Sequence, residues 1–199
     1  QIEAKARLTA VSLPSWTGEN LRTWTMNSVT RSSWSQKQKQ LDAANELSRI
    51  KGQPFPQVGY RVIEIDTRKI KSWETFGRHL NGNFPESYSA TLSGAEKFFK
   101  EAAGGHVPVK ASAFLVLAVK VAPAEWMFNL PFLYKFLPQV ERTKPDSAGF
   151  SLREYLGQAE VVAKPGTMKA AIYSGRVSLV GYARGDSFSK LSKPKPIVL

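Results

Sequence analysis

Residues 109–121, VKASAFLVLAVKV, restrict the possible folds more than any other part of the chain. Read with a period of two, Val109, Ala111, Ala113, Leu115, Leu117, Val119 and Val121 share one face. Lys110, Ser112, Phe114, Val116, Ala118 and Lys120 share the other. One face is wholly apolar, and the second is apolar in its middle and charged at both ends. That pattern predicts a long strand through the centre of a sheet, with its lysines emerging at the rims. Pro108 and Pro123 bracket the run, as prolines do when they flank a strand whose interior they cannot enter. A buried helix is the competing reading, opposed by the β-branched content. A membrane span would require ~20 apolar residues, about twice the uncharged run available here.

Around this strand the sequence predicts an α+β fold. It consists of a single domain on a mainly antiparallel sheet, with short flanking helices and extended N- and C-terminal arms. A chain of 199 residues can bury one good core without disulfides or metal. We divide it into a Trp-rich arm over 1–34, a domain over 35–185 and a basic tail over 186–199. Val58 to Asp66 reads as a second strand. A helix is predicted from about Ser35 to Lys51, another after a Thr67 cap with the stripe Ile70, Trp73, Phe76 and Leu80, and a third from a capping box at Ser93 to Glu96. Ser151 and Glu154 form a further capping box, opening a helix to about Ala159. Glu160 to Lys164, Met168 to Tyr173 and Arg176 to Tyr182 read as strands, joined by turns at Pro165-Gly166 and Ser174-Gly175.

The absence of cysteine excludes disulfides, thiolate zinc sites, iron–sulfur clusters and cysteine nucleophiles. It leaves the compartment open. A chain that starts at Gln1 without an apolar signal core is compatible with removal of an organellar targeting segment, and no transmembrane segment is expected.

The candidates for chemistry are few. His79 and His106 are isolated and lack ligand spacing. Glu64 and Asp66 share a strand face at a spacing that a divalent ion could use, but acids before a helix start are also favourable for the helix dipole alone. There is no GxxxxGK[ST] loop, GxGxxG turn or GxSxG elbow. Asp146 and Glu160 resemble the opening of a PD-(D/E)xK pattern, but Lys164 falls two positions too far along. Ser48 to Lys51 and Ser187 to Lys190 fit SxxK by count alone. The expectation is a non-enzymatic protein with no cofactor and no metal.

Charge is the strongest compositional signal, a net +12 with 28 basic and only 16 acidic residues. From Lys164 onward there are seven basic residues and one acid, Asp186, a net of +6 and half the total. A charge so far from zero points to an anionic partner. Two alternative partners follow, an acidic protein as the first reading and nucleic acid as the runner-up. The first is an acidic protein subunit of a larger assembly, for which this chain would serve as a basic linker. Its contacts would be Trp16, Arg22, Trp24, Arg31 and Trp34 in the arm, Trp126, Phe128, Phe132 and Tyr134 in the proline-broken run 126–138, and Lys190, Lys193 and Lys195 in the tail. A core-covering loop is the other reading of 126–138. The second expected partner is nucleic acid, held by phosphate contacts from the basic C-terminal half with Tyr173 and Tyr182 as stacking faces. No RNP-like motif, KH loop or zinc finger accompanies it.

Overall fold

The computed structural model describes residues 52–103, 112–137, 139–145, 151–184 and 187–199. The arm over 1–34, the helix expected at 35–51 and His106 lie outside the described residues. In chain order the elements are β1 (Val58–Asp66), α1 (Trp73–His79), β2 (Glu86–Ser89), α2 (Leu92–Ala103), β3 (Ser112–Lys120), β4 (Trp126–Asn129) and α3 (Leu130–Tyr134). They continue with α4 (Gln139–Thr143), α5 (Leu152–Tyr155), β5 (Glu160–Ala163), α6 (Thr167–Tyr173), β6 (Val177–Arg184) and β7 (Ser187–Pro196).

The strands form one sheet in the order β4-β5-β2-β1-β3-β6-β7, with every neighbouring pair antiparallel. β3, which carries the predicted strand from Ser112 to Lys120, is therefore interior, flanked by β1 and β6; positions 109–111 lie outside the described residues. Its register against β1 runs without a break from Val58 opposite Lys120 to Asp66 opposite Ser112. Both of its faces are covered. On the first face Leu115, Leu117, Val119 and Val121 join a core with Phe76 of α1 and Met168, Ala171 and Ile172 of α6. On the second, Val116 is fully buried and the Phe114 ring packs edge-on against Phe99 of α2, with centroids 5.1 Å apart. Burying a side chain such as Leu117 contributes about 1.5–3 kcal/mol, so this strand anchors both layers.

Met168–Tyr173 is a helix, not the predicted strand. Met168, Ala171 and Ile172 are buried while Lys169, Ala170 and Tyr173 are exposed, the spacing of one helical face. Pro165-Gly166 is accordingly no hairpin turn. Gly166 sits at φ +81°, a conformation costly for a side chain, and leads into α6. The helix then crosses the first face and carries the chain over β2, β1 and β3 to β6, which runs parallel to β5.

Helix starts also move. Asp66, rather than Thr67, organises the turn after β1: its carbonyl accepts from Lys69 N and Ile70 N, and its carboxylate from Arg68. The cap of α1 is Ser72, whose hydroxyl accepts from Thr75 N at 3.1 Å. At α2 the Thr91 hydroxyl accepts from Gly94 N, two residues ahead of the expected Ser93 cap. The box at Ser151 forms, with Ser151 N donating to Glu154 Oε2 at 2.7 Å. Its helix is only one turn and passes into a 3₁₀ turn at Leu156–Gln158.

The described part of the proline-broken run, 126–137, contains a short strand and a short helix instead of an irregular loop. Asn129 separates them, its side chain accepting from Phe132 N, and Pro131 is tolerated in the first turn of α3. Met127, Phe128, Leu130, Leu133 and Leu137 form a second core with Leu152 and Val162. The C-terminal stretch is extended as expected, but it is the last strand of the sheet rather than a separate tail, and Ile197 beyond it is 2% exposed in the first core.

Candidate functional site

The structure divides the expected contact residues into two groups. Trp126 is 4% and Phe128 1% exposed, so neither offers a surface to a partner, which corrects the expectation of an aromatic interface there. Trp126 fills the gap over Gly59, where a Cβ would come within 2.9 Å of its ring, and its indole Nε1 donates to Pro56 O. Phe132 and Tyr134 are half-buried against the second core; Phe132 packs on Phe136 at 5.2 Å, and the Arg142 guanidinium covers the Tyr134 ring. Aromatic rings with this much area settle in a core wherever the chain provides one. Trp16, Arg22, Trp24, Arg31 and Trp34 lie outside the described residues.

Lys190, Lys193 and Lys195 are exposed on β7. Of the seven basic residues from Lys164 onward, two face a carboxylate. Arg176 clasps Glu125 through two bonds of 2.7 and 2.9 Å, and Lys190 Nζ lies 3.3 Å from Glu96. That guanidinium, followed in weight by the Ala122 amide, holds the Glu125 carboxyl below its ordinary range. The other five, Lys164, Lys169, Arg184, Lys193 and Lys195, have no ion pair among the described residues. Lysine and proline on an edge strand also deter pairing with other chains, which is the structural role that Lys193-Pro194-Lys195-Pro196 fulfils in any case.

On the first face, beside the β6–β7 edge, a cleft of about 210 Å³ opens between α1 and the sheet. Its apolar lining comes from Ile65, Ile70, Trp73, Leu115 and Tyr182, and Lys71 stands at its margin with Ser72. Tyr182 is 45% exposed and lies opposite Ser189 of β7. Arg184 follows two residues later on the same side of β6, and Lys69 precedes Lys71 in the loop before α1; both are exposed. Tyr173, expected on a strand next to Tyr182, instead ends α6, where its ring packs over Gly77 of α1. The cleft draws on β1, the β1–α1 loop, β3 and β6. No local motif announces it; of its lining residues only Tyr182 was expected from sequence to face a ligand.

Two other polar groupings are internal. Glu86 is buried, and its Oε2 accepts from Tyr88 OH at 2.6 Å and Met168 N at 2.8 Å, with Arg61 at 3.5 Å. Burial, reinforced by the Glu86 charge, pushes the Tyr88 phenol well above its ordinary value, so it stays a donor. The cluster ties α6 to β1 and β2. On the second face, a smaller pocket of about 150 Å³ holds Glu160, which accepts from the Ser87 hydroxyl. Asp66 is engaged by Arg68, whose hydrogen bonds lower its carboxyl to about 2, and Glu64 is exposed beside it. His79 is exposed, with Nδ1 2.8 Å from Thr75 O. No three potential metal ligands converge among the described residues, and no helix there is long and apolar enough to cross a membrane.

No protein-family model matches this chain, and neither the curated proteins nor the solved structures contain a match to it.

Proposed function

We propose that the chain is a non-enzymatic polynucleotide-binding protein that holds phosphates with the basic C-terminal quarter and reads little sequence. The observation that carries this reading is the set of five exposed cations, Lys164, Lys169, Arg184, Lys193 and Lys195, without carboxylate partners among the described residues. Such cations are free to displace counterions from a phosphate backbone, the source of most non-specific affinity. Lys193 and Lys195 sit on a strand backed by β6, so binding does not require ordering a tail. The competing function, a linker docking against an acidic subunit, drew half its aromatic support from 126–138, which is occupied in forming the core.

Salt dependence tests the reading. About five phosphate contacts give a slope of log affinity against log salt near −4.5 on duplex, a loss of roughly 500-fold between 50 and 200 mM. Lys193→Ser combined with Lys195→Ser should flatten that slope to about −2.7. Substitution is the proper variant here, because deleting 187–199 would also remove Ile197 from the core. A slope unchanged by the double substitution, or no binding at low salt, would refute the proposal and restore the acidic partner.

A further inference from the structure

We infer that the cleft between α1 and β6 takes one unstacked base of a single-stranded polynucleotide, which makes this protein prefer single strands to duplex. The inference rests on the polynucleotide reading and adds a strand preference and a site to it. The cleft is about 210 Å³, below the ~300 Å³ at which pockets for drug-sized ligands begin, so it suits a single ring system rather than a whole cofactor. Its lining combines two aromatic side chains with aliphatic ones. Trp73 is fixed by its edge-on contact with Phe76, 5.7 Å between centroids, while Tyr182 remains nearly half exposed and can offer a ring face. Base–aromatic stacking needs such a face and tolerates any base.

Charge complementarity selects the occupant. Lys71 stands at the margin of the cleft, Lys69 lies two residues before it, and Arg184 is on the strand that supplies Tyr182. None of these three has an ion pair among the described residues. An apolar pocket for a protein side chain would not call for a cation at its margin. A nucleotide does, because the base that enters the cleft brings a phosphate on each side of its sugar. A duplex keeps its bases stacked and paired, so it can use the cations but not the cleft.

The test is fluorescence anisotropy of the full chain with labelled oligo(dT), oligo(U) and mixed-sequence duplex. Strands of about 15 nucleotides cover the upper range of a single-domain site. Both single strands should bind more tightly than the duplex. Tyr182→Ala should weaken single-strand binding by roughly 5- to 150-fold, the range for one stacked base, and leave duplex binding unchanged. Tyr182→Phe, which keeps the ring, should restore it. Equal affinity for single strand and duplex, or a Tyr182→Ala variant that weakens neither or both alike, overturns the inference while leaving the phosphate-binding proposal standing. Failure of every oligonucleotide to bind at low salt overturns both. A preference for oligo(U) over oligo(dT) would assign the ligand to RNA, and the reverse to DNA; either outcome supports the cleft.

Discussion

The two edges of the sheet, β4 and β7, both come from segments that looked in sequence like surfaces for a partner, and they have opposite fates. β4 is short and aromatic, and the connector before β1 closes over it. Gln53 Oε1 accepts from Asn129 N, Pro54 O accepts from Asn129 Nδ2, and Pro56 O accepts from the Trp126 indole. β7 is long and almost entirely exposed, and carries lysines and prolines where its outer rim meets solvent. An edge strand presents unpaired backbone groups, and a protein either covers them or makes them unattractive. This chain does one at each end. Apolar area is what makes covering worthwhile: the aromatic edge gains burial from its lid, whereas a lysine edge would have to desolvate its charges for nothing in return.

That contrast can be broken most sharply at Phe128. Truncation to Ala should cost about 3–5 kcal/mol, read as a lowered midpoint in urea; a loss under about 1 kcal/mol would mean that the β4 edge is a surface after all. The opposite edge has one buried anchor. Ile197 N donates to Val177 O at 2.9 Å and its side chain enters the first core. Ile197→Ala should therefore cost about 3 kcal/mol, and an unchanged midpoint would show β7 to be loosely attached.

A smaller effect comes from the clasp that joins the start of β4 to the start of β6. Because Arg176 depresses the folded carboxyl of Glu125, the pair contributes fully above that group's ordinary value of 4.5. The contribution fades as pH falls below that value and through the lower folded one. Glu125→Gln should cost about 1 kcal/mol at neutral pH, and its difference from the parent should shrink as pH falls below 4.5. A difference that stays undiminished throughout acid titration would separate the stability role from the charge. Smallest of all, Lys193→Ser with Lys195→Ser should stay within about 0.5 kcal/mol of the parent, since both side chains are exposed and unpaired among the described residues. A large loss would mean that the lysines hold the edge in place rather than face a ligand.

Local patterning alone determined the strands of the sheet's centre. β1 matches its predicted span, and β3 carries its two faces as the alternation requires, because a strand covered by helices on both faces is apolar on both in its middle and this shows residue by residue. The capping box at Ser151 was equally plain, since it depends on residues three apart. The spacing of Met168, Ala171 and Ile172 would have identified α6, had helical and strand periods been weighed against each other over so short a run. Other assignments depended on distant partners. Nothing within 126–138 says that Leu152 and Val162 will close over its rings, and apolar residues are equally consistent with core and interface until that cover exists. Nothing within 187–199 says that β6 will supply its hydrogen bonds, because in an edge strand dominated by Ser, Lys and Pro, Phe188 and Leu191 are too few to set an apolar period. The cleft is the extreme case. Ile65, Lys71, Leu115 and Tyr182 are scattered over more than half of the chain, and only antiparallel pairing of β1, β3 and β6, with α1 packed across them, brings two aromatic rings and Lys71 to one place.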